Sequence, residues 1–539
     1  MTCCNTLFLR FFPRLSQPAA CAVVAVCLAS VTVAGQAQVA PHPLPPGDVV
    51  ETDYSVTVDG ADVPVVRWYG PFCYAHASVP LDRPLPVRIR ASEPIVSHVI
   101  SPRRENFQVD VNGATAAFSV SGRHYIRFQA NGLKTLFLFL DPPEIDAPKP
   151  GDPGVVSILD YGTGTAGDRV VTAEINRAIE VVSAQPQKTV LYFPPGLYRS
   201  GTIILRSNVT LYLAAGAMLK ASDDPTHFHR DHPGGTYRRL NFITAYKVEN
   251  CGIRGRGVID GNANFLRPKL AELPPHIVVG GPGKVDANRI VNVLFSRADH
   301  ALIEGVFSRN SSSWNTIPHY CTDMTIENYK VISDMIWGRY KNEDALDPDS
   351  CVRLTVRDSF FMARDDGIVM KTTGMHKGQP IAPDGTARDM HDVLVRNNVI
   401  WTETAALKYG YNESEASDVY NIVFEDNVIL TAREGVQIRP RGPAVFRDSV
   451  FRRNWYEDIR KVGSGDGRNY LLDHGSLRNL RFVDETHDRF GTADSIVRGA
   501  KGASIHFENL RMEGQYRTDA AGARFRVTDG EVTFSAPDK

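Results

Sequence analysis

The chain has 539 residues, with 60 basic side chains set against 61 acidic ones, so it is long enough for more than one domain and for a core that needs no staples. So even a balance leaves no electrostatic footprint for nucleic acid or for an anionic membrane surface. Binding has to come from a local site.

At the N-terminus Arg10 and Arg14 precede a small and apolar stretch from Ala19 to Gly35, and GQAQ at 35–38 puts small residues where a signal peptidase reads. The sequence predicts a leader over 1–37, cleaved after Ala37, and a secreted or periplasmic protein. A membrane anchor is the competing reading, but the run falls short of the roughly 20 apolar residues a span needs, and PHPLPPG follows at once. Of the eight cysteines, Cys3, Cys4, Cys21 and Cys27 lie in this leader. Cys73, Cys251, Cys321 and Cys351 are too widely spaced for a zinc knuckle or a dense disulfide scaffold and read as buried thiols.

From 38 to 147 the texture is β. Tyr54 to Val58 alternates and ends in the hairpin signal Asp59-Gly60, QVDVNG at 108–113 repeats the theme, and TLFLFLDPP at 135–143 closes the region. A small antiparallel sandwich is expected. The proline- and glycine-rich DPPEIDAPKPGDPG at 141–154 reads as a linker, with the boundary near Pro148. A metal reading of HFHRDH at 227–232 fits no helical ligand pair, and a loop at the rim is the plainer account of His227, His229 and His232.

Residues 148–539 carry an irregular repeat. LTVRDSFF at 354–361, VLVRNNVI at 393–400 and IVFEDNVI at 422–429 share two alternating apolar residues, a charge, a polar pair and two more apolar residues. Asx residues between short strands suit a tight corner, because they tolerate left-handed backbone. Such units cannot bury their apolar face alone and should stack into a solenoid. With short strands and little helical signal, a right-handed parallel β-helix is expected, rather than a propeller with its longer blades. One helix, TAEINRAIEVVSA at 172–184, has the spacing to cap the open end of the stack.

In such a coil a residue one turn later sits about 4.8 Å from its predecessor. With a turn of about twenty residues, the acids of NEDALD at 342–347 fall beside those of RDD at 364–366. Crowded carboxylates push at least one pKa upward, and one raised acid beside one ionised base is what glycosidic hydrolysis requires. Asx corners and a calcium site compete with that reading, and Asp358 itself is read as a corner.

GRGVIDGN at 255–262, ALIEGVFSRNSSSWN at 301–315, CTDMTIENYKVI at 321–332, NEDALD and RDDGIVMK resemble, in this order, the motifs of polygalacturonase-type glycoside hydrolases. The added sandwich resembles the related dextranase and isopullulanase family. The resemblance implies a right-handed β-helix that cleaves polysaccharides with inversion and without a cofactor. It implies Asp365 as the general acid and Asp344 and Asp366 as the pair that holds and deprotonates water. Asp347 lies on a fourth acidic position and takes the place of Asp344 if the register shifts by three.

The sequence departs from the polygalacturonase pattern where that family has Gly-His-Gly and Arg-Ile-Lys segments. It has LKYGYNE at 407–413 and VQIRPRG at 436–442 instead, so pectate is not the expected substrate. Lys408 and Arg439 are candidates to donate to sugar hydroxyls or an anionic group, with a solvated rim charge as the alternative. Tyr409, Tyr411, Trp314, Trp337 and Tyr340 are candidate sugar platforms, with packed core as the alternative for each, Trp337 and Tyr340 being the better placed. A calcium-dependent lyase and a non-catalytic carbohydrate-binding or adhesin-like stack are the other classes. The expected partner is a polysaccharide or oligosaccharide, with no nucleic acid and no membrane after leader removal, and a monomer is expected.

Overall fold

The computed structural model describes residues 38–229, 240–272, 289–333, 342–376, 379–380, 387–410, 414–440, 442–463, 465–473, 475–498 and 502–537. The expected leader lies outside the described residues, as do Trp337, Tyr340, Tyr411 and His232.

Two sheets make the N-terminal sandwich. One has the order Ala61–Val63, Tyr54–Val58, Pro84–Ala91, Thr115–Ser121, Asp110–Asn112, antiparallel throughout. The hairpin at Asp59-Gly60 forms as expected, both residues having positive φ. In the other sheet Phe72–Ser78 runs parallel to Thr135–Asp141, so the wholly antiparallel expectation is corrected at this pair. Long connections bring the two strands together, and nothing in a single strand's pattern reveals its partner. Both strands are buried along their whole length, one face against the sandwich core and the other against the coil that follows.

The rest is a right-handed parallel β-helix of 17-, 13- and 6-stranded sheets. The sequence repeat marks its corners. Asp358, Asn397 and Asp426 each adopt positive φ, which confirms the corner reading of Asp358. The residues after them form an internal ladder: the Ser359 amide donates to Asn398 Oδ1 at 3.0 Å, the Asn398 amide to Asn427 Oδ1 at 3.1 Å, and the Asn427 amide to Asn454 Oδ1 at 3.0 Å. The Asn454 amide then donates to Glu485 at 3.0 Å, where the ladder ends. Phe424, Phe451, Phe482, Phe507 and Phe534 stack beside it with ring centroids 4.5–5.1 Å apart. Ladder and stack repeat because each coil supplies the same residue type at the same place.

The helix Thr172–Ser183 buries Ile175, Ala178, Ile179 and Val182 in the same core as the first coils, consistent with the capping role expected of it. A second helix, Ala263–Glu272, was not evident in the sequence pattern, Pro268 standing inside it. Cys73, Cys251, Cys321 and Cys351 are buried free thiols.

The sandwich lies against the 13-stranded sheet through one apolar layer. Trp68, Phe72, Tyr74, Tyr125, Phe137 and Phe139 meet Phe307, Phe360, Met362, Val399 and Trp401. Polar anchors flank it: the Lys330 ammonium donates to Asp141 at 2.5 Å, and Arg309 binds Asp48 and Asp260 at 2.6–2.8 Å. Lys330, Asp141, Arg309 and Asp260 are buried and Asp48 is half-buried, each with an opposite partner, so none is left uncompensated.

Candidate active site

The acids lie on the third face of the coil. Thr316 pairs with Leu346, Leu346 with Ile368, Ile368 with Leu407 and Leu407 with Val436. Two residues upstream of these core positions, Trp314, Asp344, Asp366, Ala405 and Glu434 therefore form a row across successive coils. The one-coil spacing read from NEDALD and RDD is thus the observed register. Bends at Ala345 and Gly367 lead into the strands and turn the acids away from the core. Gly367 is required there, since a Cβ would stand 2.7 Å from the Ala406 carbonyl oxygen.

Asp344, Asp365 and Asp366 each offer a carboxylate oxygen within 4.8 Å of those of the other two. Their surroundings differ. Burial pushes Asp366 up, but the Lys408 ammonium and hydrogen bonds from Lys408, the Thr404 hydroxyl and the Ala405 amide outweigh it and hold the carboxyl below its usual range. Asp365, the most exposed of the three, is raised by burial and by the charge of Asp366, against the pull of Lys408, the Asn342 amide and the Thr404 hydroxyl. Asp344 is raised well above the usual carboxylate range by burial and by Asp347 and Asp365, with Lys371 opposing.

Asp347 lies outside this group of three. It is fully buried and ion-paired with Lys371 at 2.6 Å, while Lys371 stands 3.9 Å from Asp344. The same ammonium sits 3.2 Å from the centroid of the Trp314 ring, so it covers one face of that ring.

One alternative reading and one expectation for this region are corrected. Lys408 is not a rim charge: it is buried and paired with Asp366. Tyr409 is not a sugar platform: its ring is 1% exposed and packs on Phe446 in the core, and its hydroxyl lies 3.2 Å from that of Thr372. Strand alternation is the reason, because an outward Lys408 turns its neighbour inward. Arg439 pairs with Asp473 at 3.1 Å on the coil beyond. His227 is held by Ser222 at 2.8 Å, and among the described residues no cluster of three metal-ligating side chains includes it or His229.

The sequence reading missed three side chains that touch the acids. Lys371 stood in the quoted RDDGIVMK, and its outward parity was the available signal. Thr402 and Thr404 carried none, because a loop of unknown length separates them from the acids. Among the described residues no helix is long and apolar enough to cross a membrane.

Residues 155–340 match the family model described as rhamnogalacturonase A/epimerase, pectate lyase-like, a segment that ends just before the acids. A probable polygalacturonase of Vitis vinifera is 25% identical over 297 residues, covering 52% of this chain and 56% of that protein. The chain spans just over half the length of the curated relatives it matches. Among solved structures, the exopolygalacturonase of Thermotoga maritima superposes with a TM-score of 0.52 at 21% identity, covering 69% of this chain and 94% of that one. Dex49A from Penicillium minioluteum superposes with a TM-score of 0.60 at 14% identity over 92% of this chain and 96% of that one. At these identities the structural likenesses speak for the fold. The chain carries a pectate-lyase-like domain and has polygalacturonases as homologues, in agreement with the motifs quoted above.

Proposed function

We propose that this chain is an exported glycoside hydrolase that cleaves a polysaccharide with inversion, without a cofactor. The observation that carries the reading is the divided electrostatics of one carboxylate cluster: Asp366 is held ionised while Asp365 beside it is pushed toward its protonated form. In this scheme the Asp365 proton passes to the glycosidic oxygen as the bond to the anomeric carbon breaks. Asp344 and Asp366 hold a water on the other side, and Asp366 takes its proton as the new C–O bond forms.

The nearest carboxylate oxygens are closer than the separation of about 6.5–9.5 Å usual between the two carboxyls of inverting enzymes. Inversion therefore rests on the family resemblance. The relatives are named for galacturonan, and the matching family model for rhamnogalacturonase. A pectic polysaccharide is the substrate class these names support. The absent histidine and the engagement of Lys371, Lys408 and Arg439 by acids favour a bond other than that of plain pectate.

A calcium-dependent lyase is the second reading, because the same three carboxylates have the spacing of a cation site. Purified protein incubated with pectate, rhamnogalacturonan and neutral glucans, with and without chelator, separates the two. Reducing ends released regardless of chelator support the hydrolase. Ultraviolet-absorbing unsaturated ends that vanish with chelator would replace it with the lyase.

A further inference from the structure

Thr404 stands between the two adjacent carboxyls. Its Oγ1 lies 3.1 Å from Oδ1 of Asp365 and 2.5 Å from Oδ1 of Asp366. A hydroxyl has one proton and two lone pairs, so it donates to one of these oxygens and accepts from the other. Asp366 is the acceptor: its Oδ2 is taken by the Lys408 ammonium and its Oδ1 also accepts the Ala405 amide at 2.9 Å. On Asp365, Oδ2 accepts the Asn342 amide at 2.9 Å, which leaves Oδ1 to carry a proton. With a proton placed on Asp365 Oδ1, the Thr404 hydroxyl accepts its hydrogen bond and turns its own proton to Asp366, so the chain of bonds runs from Asp365 Oδ1–H to Thr404 Oγ1 and from the Thr404 proton to Asp366 Oδ1.

The segment is anchored to keep this arrangement. The Thr404 amide donates to Thr402 Oγ1 at 3.2 Å, and that hydroxyl donates to the Asp365 backbone carbonyl.

We propose that Thr404 is a positioning residue that places the working proton on Asp365 and returns it there after each turnover. The inference rests on the hydrolase reading above. Bond cleavage leaves Asp365 ionised and Asp366 carrying the proton taken from water. The Asp366 proton then moves to Thr404 Oγ1 while the Thr404 proton moves to Asp365, which restores the starting state with no other reactant. Among the described residues, the other charged groups around the pair are Asp344, with Asp347 and Lys371 beside it, Lys408, Glu403, with Arg364 beside it, and the Arg433–Glu434 pair. Of these, Lys408 also bonds Asp366 and the rest act through their charge, whereas Thr404 bonds both carboxyls at once.

The test compares Thr404→Val, which removes the hydroxyl at nearly constant volume, with Thr404→Ser, which keeps it. Thr404→Ala serves as a second hydroxyl-free variant, and thermal melts establish that each is folded. On the polysaccharide that the wild type cleaves, kcat/KM is followed against pH. Loss of the donor to Asp366 raises the acid limb, and loss of the acceptor for Asp365 lowers the basic limb. Each should move by about one pH unit, the worth of one hydrogen bond to a single protonation state. Thr404→Ser should keep the wild-type limbs. Wild-type limbs in Thr404→Val or Thr404→Ala, or a Thr404→Ser as shifted as they are, would overturn the proposal. Asp365→Asn tells this apart from a failure of the hydrolase reading: inactive Asp365→Asn beside an unshifted Thr404→Val sinks only the role of Thr404, and active Asp365→Asn sinks both.

Discussion

Lys408 reaches back from its own coil to Asp366 on the coil before it, and both side chains are buried. The pair fixes which of the two adjacent aspartates is ionised. Removing one partner leaves a buried charge uncompensated, so Lys408→Met should lower stability by about 3–5 kcal/mol at neutral pH and abolish turnover. The sign of the pH dependence follows from the depressed Asp366. Its contribution is present above the unfolded carboxylate pKa of about 3.9 and is lost as pH falls through the lower folded value. The deficit of Lys408→Met against the wild type should therefore be largest near pH 7 and shrink toward pH 3, as read from thermal melts. An equal deficit at both ends would mean the ion pair is not its source.

Lys371 offers a sharper electrostatic test. It binds Asp347 and opposes the rise of the Asp344 pKa. Lys371→Met should raise the Asp344 pKa further, by about one unit or more, as read from its carboxyl carbon in a 13C NMR titration. Asp347→Asn removes the like charge and should lower the Asp344 pKa. The double variant should fall between the singles, because the two changes act on Asp344 with opposite sign. A double variant displaced further than Lys371→Met alone would contradict this account.

Away from the site, Glu485 ends the asparagine ladder. Burial pushes its pKa up to about 8, against bonds from Asn454 and Tyr456. Its folded value lies above the unfolded one of about 4.3, so its stabilising share is complete below that pH and is lost as pH rises through 8. Glu485→Gln mimics the protonated form. Thermal unfolding at pH 5 and pH 9 should show the variant gaining on the wild type at the higher pH. Parallel behaviour at both values would show that Glu485 is ionised in the fold.

How much of this was legible in the sequence depended on what one coil contains. Asp344 and Asp366 could be brought together because a short, loop-free turn separates them, and the corners at Asp358, Asn397 and Asp426 announced themselves by residue type. Lys408 and Thr404 act on the same carboxylates from the next coil. Their distance along the chain includes a loop whose length does not follow the repeat, so the pairing of Ile368 with Leu407 could not be counted out. Tyr409 was misread for want of one step, since alternation from Lys408 already turned it inward. In the sandwich, apolar pattern gave the strands of Phe72–Ser78 and Thr135–Asp141 but not their parallel pairing, which depends on long-range topology.

In the proposed hydrolysis Asp365 supplies the proton that breaks the glycosidic bond. Proton NMR of the anomeric signals, during digestion by the wild type and by Asp365→Asn in chelator, follows both the stereochemistry and the loss of that proton. The wild type should first release reducing ends of configuration opposite to the cleaved linkage, and Asp365→Asn should be slower by at least about a hundredfold while melting normally. Retained configuration would contradict inversion, and undiminished release by a folded Asp365→Asn would contradict the assignment of the acid itself.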